Sequence, residues 1–477
     1  MHNRSLSFLE SSPFCPFHGP SSLPFSPPNP CTIFPISSSS FTCKGTQLSM
    51  SITRCATSLC PANGWKLMSV GGKHIDVSTL GNLCVDVILN VPELPPRNRD
   101  ALSAYMERLA ASPPDKRYLE AGGNCNVAIA AARLGLRCAT IGLVGDETYG
   151  NFLLGVLRDE GISMVGMQDD DDVVDTSSAL YETLLCWVLV DPLQRHGFCS
   201  RADFHKEPAL SWMRRLSVPV KAAIKQSRTL FCNGYGFDEL SPGLLTMALD
   251  YAVEVGTSVF FDPGPRGKKF STGTPEQQET LTHFLKMSDV LLLTADEAES
   301  LTGIRNPVLA GKDLLLNGVR TKWVIVKMGS KGSILVTMSS ISCAPAFKVN
   351  VIDTVGCGDS FDAAIAFGFI NNMPLINTLA IANAVGAATA MGCGAGRNVA
   401  TLDKVIELMR ASNIHEDDKY WNELLPKDLE NQDITFLSGM VPNGSHSQLS
   451  RVPLQKVVTE LLPQLVVSTL FEGKVAC

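Results

Sequence analysis

The chain has 477 residues, 45% hydrophobic and 18% charged, with a formal net charge of −7. That balance suits a globular protein with a sizeable core and, lacking a dominant basic patch, argues against nucleic acid as a partner. No stretch of about 18 or more apolar residues occurs, so no membrane-spanning helix is expected. The 15 cysteines form no CxxC pair and no metal-ligand spacing. They lie in apolar segments such as Leu83-Cys84-Val85 and Phe231-Cys232, which suits buried thiols in a reducing compartment better than disulfides or zinc.

In residues 1–70 Ser, Pro and Phe dominate, and Glu10 is the only acid before Asp76. Such a segment cannot build a packed core. It resembles an organelle transit peptide, for the plastid rather than the mitochondrion because Arg is sparse. A plain disordered tail is the alternative.

From His74 onward, apolar strands alternate with helical patterns. Strands are predicted at 77–91, 139–144, 229–233, 258–262, 290–294 and 323–327, and helices at 126–134, 244–255 and 275–286. This alternation predicts an α/β domain with a mainly parallel sheet covered on both faces, and ligands at the carboxyl ends of its strands. Residues 100–111 carry Leu102, Tyr105, Met106 and Leu109 at helical spacing. Residues 177–200 read as two strands around Asp191-Pro192, an insertion that would be a lid, a dimer edge or a decorated loop. Beyond residue 412 the pattern weakens. Residues 415–433 suggest a peripheral helix and 443–450 a loop. Residues 454–471 have an apolar face interrupted by Pro463, free to dock or stay loose.

Two glycine motifs carry chemistry. Gly122-Gly123-Asn124-Cys125-Asn126 precedes an Ala-rich helix; the glycines allow close backbone approach, and Asn126 can donate to and accept from sugar hydroxyls or simply cap the helix. Asp353 opens a second run in which Gly356-Cys357-Gly358-Asp359 leads into an apolar helix. Small residues at a helix start make an anion cradle, and an acid at its rim can take a proton from a hydroxyl. Together these would serve phosphoryl transfer to an alcohol. Alone, the run could equally be a helix cap.

Taken jointly, GGNCNVAIAAARLG…IGLVGDETYGNFLLGVLRDEGI and DTVGCGDSFDAA resemble the two signatures of the PfkB/ribokinase carbohydrate-kinase family, in family order. The resemblance covers about residues 75–412, and the extended N-terminus makes the chain similar to plant plastid members. It implies a ribokinase-like three-layer α/β/α sandwich with a small β lid (elements near 97–120 and 175–203), followed by a C-terminal extension, 413–477. It also implies ATP-dependent phosphorylation of a sugar hydroxyl with Mg²⁺, a monovalent cation such as K⁺, and a homodimer through the lid. Asp359 matches the family's base, and Gly356, Cys357 and Gly358 its anion hole. Cys357 stands where Ala is usual and would add redox sensitivity. Asp86, at the end of the first predicted strand, matches an acid for sugar hydroxyls; Gly122, Gly123 and Asn126 match further sugar contacts, and Asp353 an acid near the acceptor. Glu297 matches the magnesium-organising acid of an NxxE motif in which Thr294 replaces Asn; a plain helix-start acid is the alternative. Lys327, Gly329 and Gly332 match the GxxG turn beside the nucleotide, Asn383 a helix residue near the adenine, and 391–396 the cation loop. The helical pattern at 100–111 departs from the family's lid and leaves the acceptor open. A catalytically silent, fructokinase-like scaffold in plastid gene expression is the rival reading.

Overall fold

The computed structural model describes residues 72–96, 98–112, 117–167, 181–193, 195–425, 432–439 and 449–472. The expected transit peptide, residues 1–70, lies outside them, as does part of the second expected lid element. The first expected strand is in fact two. Strand β1 (Ile75–Leu80) ends at Gly81 and Asn82, with φ of +66° and +54°, and the chain re-emerges as β2 (Leu83–Asn90) in a different sheet. Two successive left-handed residues break an apolar run that periodicity alone reads as continuous. Asp86 therefore lies within the second strand, not at the end of the first.

The chain continues through β3 (Arg117–Gly123), β4 (Cys138–Gly142), β5 (Ser163–Gly166), β6 (Leu184–Val190) and β7 (His196–Ser200). Then come β8 (Ser227–Asn233), β9 (Ser258–Asp262), β10 (Val290–Thr294), β11 (Trp323–Lys327), β12 (Ser333–Val336), β13 (Ser340–Ala344), β14 (Asp433–Ser438) and β15 (Leu449–Pro453). Eleven strands form one sheet in the order β15-β14-β13-β12-β11-β10-β9-β8-β1-β4-β5, parallel throughout except for β12. The helices used below are α1 (Arg99–Ala111), α2 (Asn124–Arg133), α3 (Pro242–Glu254), α4 (Pro275–Met287), α5 (Ala295–Thr302), α6 (Pro307–Asn317), α7 (Cys357–Ile370), α8 (Leu375–Ala390) and α9 (Leu454–Glu472). Helices α2, α7, α8 and α9 supply one core, and α3, α4 and α6 the other, so the sheet is covered on both faces. Helices α7 and α8 are apolar nearly all round, as helices buried on several sides must be.

A second sheet, β3-β2-β6-β7, is the lid. The expected hairpin of 177–200 supplies β6 and β7, antiparallel to each other, and β6 runs parallel to β2. Helix α1 covers one face of this sheet: Tyr105, with Met106 and Leu109, packs on Val87, Leu89 and Leu189. Asn98 caps it by accepting from the N–H groups of Asp100 and Ala101. Side chains alternate across a strand. Asp86 and its cross-strand partners Glu120 and Cys186 thus belong to the other face.

The C-terminal region is part of the core. Strand β14 pairs with β13, and β15 with β14. Helix α9 buries Leu454, Val457, Val458, Leu461 and Leu465, a single helical stripe, and Asn377 of α8 donates to Glu460 at 3.0 Å. Leu449 and Ser450, expected in a loop, open β15. The expected peripheral helix is short, Asp418–Leu424, and Trp421 in it is buried edge-on against Phe436.

Candidate active site

Helix α7 starts where the chain leaves the loop after β13. Its N-cap, Gly356, has φ +76°, and a β-carbon there would come within 2.7 Å of Ala395. Only glycine fits that turn. First-turn N–H groups have no acceptor within their own helix. Here that of Cys357 reaches Thr354 O at a long 3.3 Å, and those of Gly358 and Asp359 are the remaining first-turn donors. Burial, with the charges of Asp353 and Asp359, pushes the Cys357 thiol up to about 12. It stays protonated near neutral pH, which works against the expected redox sensitivity.

Asp359 is half-buried, one residue after Gly358. It accepts from Asn126 Nδ2 at 3.1 Å, and Asn126 Oδ1 accepts from Gly396 N at 2.8 Å. Burial pushes Asp359 up to about 6; the Asn126 bond and Lys327 oppose that, and Asp262 adds to it. Asp86 is buried and faces Asp359 from the lid. Burial, then repulsion from Asp359, pushes it up to about 7. A β-carbon on Gly122 would lie 2.1 Å from Asp86 Oδ1, so Gly122 makes the room the carboxylate occupies. Gly123, with φ +58°, passes equally close to Asn82 O. The two glycines thus let the lid strand carry Asp86 up against the start of α2.

Asp353 accepts from Val355 N at 2.9 Å and Gly394 N at 2.6 Å, and His196 Nε2 of the lid stands 3.1 Å from its Oδ1. Burial raises its affinity for a proton, but His196 and the two backbone donors outweigh this and hold it below the usual carboxylate range. Asp353 therefore orders the 391–396 loop and meets the lid edge. A second lid contact joins Glu120 to Arg397, with both carboxylate oxygens 3.0 Å from the guanidinium.

At the carboxyl ends of β9, β10 and β11 lies a charged group. Thr294 and Glu297 form a capping box at the start of α5: Thr294 N donates to Glu297 Oε2 at 2.7 Å, and Glu297 N to Thr294 Oγ1 at 3.3 Å. Burial and the nearby Asp262 raise Glu297. Lys327 is half-buried between Asp262 and Asp362. Gly329 (φ +56°) and Gly332 (φ +104°) shape the turn after β11. Asn383 is buried on α8, accepting from Ser333 Oγ at 3.0 Å and donating to Ala344 O and Pro345 O. Its amide therefore ties α8 to β12 and β13.

The fold thus brings Asp359, Asn126, Asp86, Gly122, Gly123 and the 356–358 turn to one place, with Asp353 beside them. Glu297, Thr294 and Lys327 adjoin. Asn383 and Gly332 sit at the packing of α8 on β12 and β13. Sequence reasoning missed Asp262, Asp362, His196, Glu120 and Arg397. Asp362 had a signal, since it falls three residues after Asp359 and so on the same helix face. His196 had none, because its partner is 157 residues away in the chain.

A mainly parallel sheet between helical layers, with a β lid over its carboxyl edge, defines a ribokinase-like fold. The model of the pfkB family carbohydrate kinases matches residues 75–401, and the chain belongs to that family. It is 26% identical to 5-dehydro-2-deoxygluconokinase of Bacillus thuringiensis, over 65% of this chain and 87% of that one. It is 27% identical to fructokinase-3 of Arabidopsis thaliana, over 54% and 70%. Among solved structures it resembles an E. coli protein described as a ribokinase II, in complex with ATP and Mg²⁺ (TM-score 0.56, 19% identity, 71% of this chain and 99% of that one). It also resembles Arabidopsis thaliana ribokinase complexed with ribose and ATP (TM-score 0.53, 19% identity, 70% and 98%). These structural likenesses speak for the fold.

Proposed function

We propose that the protein transfers the γ-phosphoryl group of ATP to a hydroxyl of a sugar or sugar-like metabolite in the plastid stroma. The observation that carries this reading is the meeting of Asp359 with the open first turn of α7 and the lid acid Asp86. Asp86, Asn126 and the 122–123 backbone hold acceptor hydroxyls. Asp359 takes the proton of the reacting hydroxyl as its oxygen bonds to the γ-phosphorus and the bond to ADP breaks. The N–H groups at 356–358 stabilise the charge that grows on the transferring group. The Ser-rich N-terminus and the plant relative support the plastid address.

Among the described residues no three His, Cys, Asp or Glu side chains are placed to hold a metal ion. Magnesium would come in on the nucleotide, keep several waters and supply charge neutralisation to the phosphates. Glu297 is the residue to reach it through water. The Thr294 hydroxyl already serves the cap, so Thr294 contributes through Glu297. The loop 391–396, ordered by Asp353, is the place for K⁺. A lid dimer would join through the edge strands β3 or β7, because α1 already covers the lid's outer face.

The test is ADP release from Mg-ATP with pentoses, hexoses, nucleosides and, from the relatives' names, fructose and 5-dehydro-2-deoxygluconate. Turnover with one acceptor is expected. Folded protein that binds ATP and turns over nothing would favour the scaffold reading, which draws on one observation: Thr294 and Asn383 use their side chains inside the fold. Gly122→Ala is expected to displace the Asp86 carboxylate and lower kcat/KM for the acceptor by roughly 10²-fold. Steady-state kinetics with unchanged kcat/KM would remove Asp86 from the acceptor site.

A further inference from the structure

Lys327 ends β11 and Asp262 ends β9, the two strands that flank β10. The Lys327 ammonium is 2.9 Å from Asp262 Oδ2 and 3.0 Å from each oxygen of Asp362. Its side chain is 11% exposed, and that of Asp362 not at all. Asp362 shares a face of α7 with Asp359, one turn earlier. A β-carbon on Gly358 would stand 3.8 Å from Lys327 Nζ, which puts the ammonium against the first turn.

Unpaired, Asp362 would set a negative charge one turn into a helix whose start is to receive an anion, undoing the dipole's help. Burial pushes the Asp362 carboxyl well up toward holding a proton, Lys327 opposes this and so favours its ionised form, and the same bonds tie α7 to the ends of two strands. The groups facing Asp359 are Asp86 from the lid, Asp262 and Lys327 from the main sheet, Tyr235 after β8, and Cys357 on α7 itself. Among the described residues of this set Lys327 is the cation, and its field favours the ionised form of Asp359.

We propose that Lys327 is a positioning residue: through Asp362 and Asp262 it clamps the first turn of α7 and so places Asp359 to act as base. This differs from the nucleotide contact implied by its place in the GxxG turn, and it rests on the phosphoryl-transfer reading above.

Lys327→Met alone leaves a buried carboxylate without its counter-ion and endangers folding. The deciding variant is therefore Lys327→Met with Asp362→Leu, an apolar replacement of the ammonium and its fully buried partner; Asp262, 16% exposed and accepting from Gly264 N, keeps solvent and a backbone donor. The double variant is expected to melt near the wild type and to lose about 10- to 100-fold in kcat, with the ATP KM within about threefold. The acid limb of its kcat–pH profile is expected to move up, since a nearby cation no longer opposes protonation of Asp359. Amide exchange across residues 356–362 should quicken. A folded double variant with wild-type kcat and acid limb overturns the proposal. So does a raised ATP KM at unchanged kcat, which is the mark of a nucleotide ligand. If the wild type phosphorylates no acceptor, the kinase reading fails, and the exchange measurement still decides: unchanged protection across 356–362 overturns the clamp.

Discussion

Asp359→Asn is expected to lower kcat by roughly 10²–10⁴-fold without unfolding the protein. The amide keeps the size of the carboxylate and the contact with Asn126, but it cannot take the proton of the acceptor hydroxyl. Wild-type activity has a matching pH dependence. Burial, first of all, pushes Asp359 up to about 6, so below that pH the group already holds a proton and cannot accept another. The rate should therefore rise with pH through about 6, and this limb should vanish in the variant. A second consequence follows at Asp86, where the charge of Asp359 adds to burial in pushing the carboxyl up to about 7. With that charge gone, Asp86 should titrate lower, which carboxylate NMR on labelled aspartates would detect. A variant rate within twofold of the wild type would take the base role away from Asp359.

Ending the chain at residue 412 is expected to abolish the soluble fold. The cut removes β14, β15 and α9, and with them five apolar side chains of α9 that are at most 2% exposed. Burying side chains of this kind is worth about 1.5–3 kcal/mol each, and five together are on the order of a domain's whole stability, about 5–15 kcal/mol. It also takes Trp421 and Phe436 from the opposite core and leaves β13 as an unpaired edge, an invitation to aggregation. Expression of the 1–412 chain, read by solubility and by circular dichroism on heating, would show this. A soluble chain melting within a few degrees of the full protein would mean the extension is dispensable. The family match ends at residue 401, so the segment on which this prediction turns lies beyond it.

Much of the fold was legible. Strands β9, β10 and β11 stand at 258–262, 290–294 and 323–327 as the apolar runs predict, because each is buried on both faces and reads as a continuous hydrophobic block. The helix at 100–111 showed in the spacing of four apolar residues, but its purpose did not, since covering a lid sheet depends on where β2 and β6 lie. The break at Gly81-Asn82 stayed hidden because hydrophobicity runs through it and only the backbone angles change. The docking of α9 stayed hidden behind Pro463, whose sequence signal is that of a helix breaker.

The sequence by itself determined the α/β class, the family and the order of its motifs, for these are carried by residue types at short spacing. Tertiary structure alone decided how the charges are partnered. Asp86 meets Asp359 only because a left-handed pair lifts β2 out of the main sheet. Lys327 meets Asp362, and His196 meets Asp353, across gaps of 35 and 157 residues. Local spacing reports which groups a segment offers; which of them face one another, and so which stay charged, is set where distant segments pack.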